Sequence, residues 1–375
     1  MRAMLVTGFY PGERMGGAEY QTALLAQGLV ARGHEVVFLA TDAGKEDVTE
    51  VDGIIVWEIP GWRITGWAEH KQHVVKAIQE TAPNICYVRL LTELANMMTP
   101  CQEASIPVVS VSSSLKEVSP FLFGYHPRET IGYLRSFRTV PHFRSFLAIR
   151  LSAMHVCNTH ALKRKVQHWF PRKPIRTIYN GSPVPPRQEI HRTSTGQVIW
   201  VNNLKRWKRP QLFVELARRL PQFRFVMIGA LAPRGTHAQA LGKMMQQGPA
   251  NFQYLGSMPV EQVNKHISQS DLLVYTSKAD VEGFGNSFLQ AWFRGVPTVS
   301  LSFELDGILE REKVGRFART FEQLVADVRD LMEDKATRLE MGQRAREYAM
   351  RHYPAERMVA DYEALFKEIL NTSCH

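Results

Sequence analysis

The chain has 375 residues, 45% of them hydrophobic and 22% charged, the balance of a folded globular protein with room for two or three domains, each with its own core. A net charge of +10 points to a polyanionic partner: nucleotide phosphates, nucleic acid or an anionic membrane face. No run approaches the ~20 apolar residues of a membrane span, and the opening MRAMLVTGFYPG has too short an apolar core for a signal peptide, so a cytoplasmic protein is expected, soluble or peripheral on the inner face of the membrane.

The first half alternates short apolar runs with amphipathic stretches. Strands are expected at Ala3–Thr7, Glu35–Ala40, Ile54–Trp57, Ile85–Val88, Pro107–Val111, His155–Asn158 and Ile175–Ile178, with helical patterns such as Ala18–Ala31 between most of them. Asp42 and Asp47 read as members of a polar loop. Of the four cysteines, Cys86 and Cys157 lie in apolar runs and Cys101 and Cys374 add no ligand spacing, so buried free thiols in a reducing compartment are expected. His34 reads as structural, and His70 and His73 lack a partner at metal spacing. Between Glu117 and Arg150 the alternation stops: five Arg, two Glu and seven Phe or Tyr fill the interval. That composition suits a surface lying on an anionic membrane and receiving a lipid-linked acceptor, or an irregular insertion over the core.

The Pro-rich stretch Ser182–Gly196 reads as a linker. Alternation then restarts, with strands at Gln197–Val201, Arg224–Ile228, Phe252–Leu255, Asp271–Tyr275 and Thr298–Leu301. Helices are expected at about 208–220, 238–247, 259–269 and 286–294, and three more close the chain at roughly 320–334, 335–351 and 355–370. The fold class is therefore α/β: two Rossmann-like, doubly wound parallel-sheet domains, 1–182 and 183–354, facing across a cleft that holds the active site. The C-terminal helix, 355–375, is expected to pack back on the first domain.

Three loops carry chemistry. Gly8–Glu19 joins the first strand to the first helix, and Gly16 and Gly17 let backbone approach a ligand at a helix start that favours phosphate. The loop is too long for the dinucleotide fingerprint. Asn202–Pro210 crowds Lys205, Arg206, Lys208 and Arg209 at a helix start, where cations oppose the helix dipole unless an anion offsets them. Asp280–Trp292 places Glu282 on a glycine-rich loop between two apolar runs, a place to hold a polyol and an anion together. Ser287 and Gln290 also fit a capping box, which competes with a ligand role for Gln290. Acidic pairs placed as a metal–diphosphate clamp are missing, so no metal is expected. Nucleic-acid recognition lacks a module here.

Together these segments resemble the retaining GT-B glycosyltransferases of family 4. The resemblance rests on Gly16-Gly17, Ala31-Arg-Gly-His-Glu-Val-Val, Tyr179-Asn-Gly181, Lys208, Gly256 and the segment from Glu282 to Pro297. It implies that Lys208 binds a diphosphate and that Glu282 holds the donor sugar. Backbone N–H groups around Gly283, Phe284, Gly285, Asn286 and Ser287 receive phosphate or sugar oxygens, Gly256 and Met258 belong to the nucleotide-base loop, and Gln290 takes the ribose position. Asn203 stands where the family has Arg, with Arg206 as the substitute guanidinium, and Gln290 replaces a Glu. The expected activity is metal-independent, retaining transfer from a nucleoside-diphosphate sugar, UDP ahead of GDP, to a saccharide or lipid-linked hydroxyl in bacterial cell-surface polysaccharide or glycolipid synthesis. The alternative is a non-catalytic sugar-nucleotide binder of the same fold.

Overall fold

The computed structural model describes residues 1–12, 16–89, 91–114, 144, 146–190, 194–231, 236–279 and 282–373. Cys374 and most of the interval 117–150, for which a membrane or acceptor role is expected, therefore lie outside the described residues. The chain divides into two units, Met1–Gly181 with Ala355–His375, and Ser182–Pro354.

The first unit runs β1 (Arg2–Thr7), α1 (Gly17–Val30), β2 (Glu35–Ala43), β3 (Asp47–Val51), β4 (Ile54–Pro60), α2 (Trp62–Thr65), α3 (Trp67–Thr81), β5 (Ile85–Val88), α4 (Leu91–Glu103), β6 (Val108–Ser112), β7 (Met154–Cys157), α5 (His160–Trp169) and β8 (Ile175–Thr177). Its sheet has the order β3-β4-β2-β1-β5-β6-β7-β8, parallel except for the β3–β4 pair. Buried apolar runs such as Val36–Ala40 and Ile85–Val88 make the central strands, because helices cover both faces of a parallel sheet. The polar-loop reading of Asp42 and Asp47 is corrected: Asp42 lies in β2 and Asp47 opens β3. The signal was Asp52-Gly53, whose positive φ values of 51° and 77° close a two-residue hairpin. β3 is a mostly exposed edge strand, which is why its residues read as loop. Cys86, Cys101 and Cys157 are buried free thiols.

The second unit runs β9 (Gln197–Val201), α6 (Pro210–Arg219), β10 (Arg224–Ile228), α7 (Thr236–Gln246), β11 (Phe252–Tyr254), α8 (Val260–Ser268), β12 (Leu272–Tyr275), α9 (Asn286–Trp292), β13 (Thr298–Leu301), α10 (Ile308–Arg311), β14 (Gly315–Ala318), α11 (Phe321–Glu333) and α12 (Lys335–His352). Its parallel sheet has the order β11-β10-β9-β12-β13-β14. The order reverses between β9 and β12, and ligands in such sheets bind beyond the carboxyl ends of the strands at that switch point. The last helix, α13 (Ala355–Ser373), belongs to the first unit, where Val359, Tyr362, Leu365 and Phe366 share a core with α1 and β1. Gly28 of α1 makes room for it: a Cβ there would stand 2.4 Å from a methyl of Val359. Among the described residues no helix is long and apolar enough to cross a membrane.

Candidate functional site

Lys208 and Glu282 come from the two loops that flank the switch point, the first after β9 and the second after β12. A short 3-10 turn, Arg206–Lys208, follows β9 and ends at Arg209 with φ of +50°. Arg209 holds that strained turn: its Nε donates to the Thr276 carbonyl at 2.6 Å and one terminal nitrogen to the Leu301 carbonyl at 3.0 Å. Thr276 completes the brace, accepting from the Trp200 indole at 2.9 Å and donating to the Lys208 carbonyl at 2.6 Å. A cationic loop is thus bolted to the end of β12, with Pro210 opening α6 behind it.

The ammonium of Lys208 donates to the Tyr275 hydroxyl at 3.1 Å and to the Glu282 carboxylate. Both charged side chains are largely buried, at 13% and 11% exposure, so each is the other's main compensation for lost water. Burial, then the neighbouring Glu282 charge, pushes the Tyr275 hydroxyl well above its ordinary range, so the phenol stays neutral beside the ammonium. Gly285 is needed here, since a Cβ would come within 2.9 Å of that hydroxyl and 2.8 Å of Phe288. Tyr275 is a site residue that sequence reading left inside a strand; its place at the end of β12, one residue before the loop, was the available signal.

The other residues expected to contact the donor lie on several loops of the two units. Gly283, Phe284 and Ser287 are buried, and Phe284 meets Tyr353 edge-on at 6.0 Å. Asn286 opens α9 with Gly285 as its cap. Asn203 is half-buried, its carbonyl accepting from Lys205 N–H at 2.7 Å, while Arg206 is exposed on the turn. Gly256 takes φ of +78°, and its carbonyl accepts from Gly229 N–H at 2.8 Å, with Met258 packing partly buried nearby on the small core under β9 and β10. Gly229 was missed: a Cβ there would stand 1.7 Å from the Asn202 carbonyl, so glycine alone lets β10 leave the sheet beside that loop. In the first unit, Gly16 precedes α1 without room for a side chain against Glu19, and Gly17 begins the helix. Gln21 of α1 pins the turn Tyr179–Gly181 through both the N–H and the carbonyl of Gly181, at 3.1 and 2.8 Å.

The family model described as Glycosyl transferases group 1 matches residues 186–348, and the model described as Glycosyltransferase Family 4 matches residues 15–184. This chain is a family 4 glycosyltransferase. No curated protein sequence matches it. Its fold is GT-B and is shared with distant solved structures. Sucrose-phosphate synthase from Thermosynechococcus elongatus aligns at 13% identity and TM-score 0.78, over 99% of each chain. HepE from Anabaena, solved with UDP-glucose, aligns at 16% and 0.74 over 99% of this chain and 100% of that one. A TarM variant from S. aureus, solved with Fondaparinux, alpha-GlcNAc-glycerol and UDP, aligns at 11% and 0.73 over 97% and 99%.

In this glycosyltransferase the capping reading of Gln290 is overturned. The helix begins one residue before Ser287, so Ser287 lies inside the first turn and its buried hydroxyl finds no partner among the described residues. Gln290 instead donates its amide to the Asn264 side-chain oxygen on α8, at 3.1 Å.

Proposed function

We propose that this glycosyltransferase moves a hexosyl unit from a nucleoside-diphosphate sugar to a hydroxyl acceptor with retention of anomeric configuration. The observation that carries the reading is the Lys208–Glu282 pair beside the switch point of the second sheet. A diphosphate entering there competes with Glu282 for the ammonium, and Glu282, released, turns its acceptor oxygens to the sugar hydroxyls. As the bond from the anomeric carbon to the diphosphate breaks, negative charge grows on the departing oxygen, and Lys208 stabilises it. No protein nucleophile is assigned: the acceptor hydroxyl takes the face that the diphosphate leaves and gives up its proton to the leaving phosphate. Lys208, with Lys205 and Arg206 on the same turn, supplies positive charge that a divalent ion would otherwise bring, so the reading is of a metal-independent enzyme. A uridine nucleotide is expected ahead of guanosine, and the acceptor is a saccharide or lipid-linked hydroxyl of bacterial cell-surface polysaccharide or glycolipid synthesis.

A second reading, a non-catalytic binder of sugar nucleotides, draws on Asn203 and Gln290, which are neutral where the resemblance expects charge. One experiment separates them. A panel of nucleoside-diphosphate sugars is screened by thermal shift, and each binder is assayed for release of nucleoside diphosphate with acceptor present and chelator added. Release, with a product whose anomeric signal matches the donor's by NMR, supports the transferase; binding without release sinks it.

A further inference from the structure

The positive charge of this protein is concentrated in one stretch. Residues 130–188 hold eleven Lys and Arg and no Asp or Glu, so they carry the whole +10 excess and leave the rest of the chain close to neutral. Within the described part of that stretch, two segments approach the sheet side by side. Phe146 to Ala153 leads into β7, while α5 and the turn after it lead into β8, which pairs with β7 in parallel. Contacts join the segments: Lys173 donates to the carbonyls of Arg150 and Ser152, and the Trp169 ring meets Phe146 edge-on at 6.2 Å.

Three large apolar side chains stand in solvent on this joined edge, Leu147 at 41%, Leu151 at 59% and Trp169 at 44% exposure. Arg150, Arg164, Lys165 and Arg172 of the same two segments, and Arg144 just before them in the chain, are also exposed. We propose that this edge docks on an anionic lipid bilayer. The cations draw it to charged headgroups, each contributing about fivefold in partition near the surface. The two leucines and the tryptophan then enter the boundary between headgroups and acyl chains, where an aliphatic side chain leaves water and an indole keeps its polar edge wet. A nucleic acid would use the cations but gain nothing from Leu147 and Leu151. Leu147, Leu151, Trp169 and Arg172 are on the segments that lead into the amino ends of β7 and β8, while α5 runs back from the carboxyl end of β7; this surface stands independently of the transfer reading.

Flotation with phosphatidylcholine vesicles and with equimolar phosphatidylcholine–phosphatidylglycerol vesicles, at low salt, tests it. The intact protein is expected to float with the anionic vesicles only. Replacing Arg164, Lys165 and Arg172 together by Gln is expected to lower partition by about 100-fold, and Leu147→Ser with Leu151→Ser and Trp169→Ser to lower it by at least ~10-fold. A control triple on the second unit, Arg219→Gln, Lys335→Gln and Arg329→Gln, is expected to change partition less than about threefold. Thermal melts close to the parent's establish that the variants are folded, and unchanged release of nucleoside diphosphate from a soluble acceptor reaction keeps the result apart from the transfer chemistry. Absence of flotation by the parent protein, or parental flotation by either patch variant, overturns the proposal. So does tighter binding to a single-stranded oligonucleotide that the apolar triple leaves intact.

Discussion

The Lys208 ammonium rests on the Glu282 carboxylate, so the cation proposed for the diphosphate and the carboxylate proposed for the sugar neutralise one another. The pair is largely buried, so each partner compensates the other for lost water. Lys208→Ala is expected to lower kcat/KM by about 10²–10³, the range for losing one preorganised contact to a developing anion. Tyr275→Phe removes only a neutral partner of the ammonium and is expected to cost about tenfold. Steady-state kinetics beside thermal melts provide the check, and parental turnover in folded Lys208→Ala would remove the role given to this residue.

Gln290 offers an amide NH2 end that donates and a carbonyl end that accepts, where a carboxylate would offer acceptors only. Asn264 takes up its donor end at 3.1 Å, leaving the carbonyl oxygen to accept from a ribose hydroxyl. On the proposed ribose role of Gln290, Asn264 acts as its positioning residue. Asn264→Ala is expected to weaken nucleoside-diphosphate binding by about three- to tenfold, while Asn264→Asp, which still accepts, stays near the parent. Calorimetric titration with ribo- and deoxyribonucleoside diphosphates reads this directly, because loss of the ribose preference should accompany the Ala variant alone. Equal weakening of both nucleotides would make the Asn264 effect structural.

Apolar runs were enough to locate most strands, since a strand covered on both faces must be apolar throughout, as Ile85–Val88 is. A cation-rich loop after one such run drew attention to Lys208, and a glycine-rich loop after another to Glu282, for the same local reason. What stayed hidden depends on contacts across long sequence separations. Nothing near Gln290 announces Asn264, and nothing near His70 announces Glu93; each pair meets because the sheet order brings two helices together. β3 was hidden differently: at an edge, a strand can be polar and look like a loop, although Asp52-Gly53 marked its hairpin.

Two buried histidines with opposite surroundings set opposite pH limbs. The His155 ring sits between the Ser110 and Ser112 hydroxyls, at 2.7 and 2.8 Å, and burial, then Lys173, lowers its pKa to about 3. Its unfolded counterpart takes a proton near pH 6.5, so unfolding is favoured progressively as pH falls from there toward 3, by up to about 1.4 kcal/mol per pH unit. His70 faces acceptors on both nitrogens, the Pro60 carbonyl and Glu93, each at 2.8 Å. Burial opposes its charge, but the hydrogen bond and charge of Glu93 outweigh that and raise the pKa. Stability from His70 is therefore complete below about pH 6.5 and is lost as pH rises through the raised value. Denaturant titrations across pH should show a flatter acid limb in His155→Gln and a flatter alkaline limb in His70→Gln. The slopes carry the test, since either change also lowers overall stability; slopes parallel to the parent's would refute the assigned charge states.

Gly28 and Val359 test how closely the last helix is fitted to the first unit. On helix propensity alone, Gly28→Ala should stabilise α1 by about 1 kcal/mol. Here the new methyl would collide with both methyls of Val359, at 2.4 and 2.9 Å, on the neighbouring buried helix, and overpacking of this kind costs about 1–3 kcal/mol. The net effect expected is loss of stability despite the better helix former. Val359→Ala alone gives up two buried methyls, about 1.6 kcal/mol at ~0.8 each. Combined, the two changes exchange one methyl for the other's space, so the double variant should be more stable than the sum of the singles predicts, by at least about 1 kcal/mol. A double-mutant cycle from urea melts measures that coupling directly, and additivity within error would mean that α1 and α13 adjust their spacing freely rather than locking through this contact.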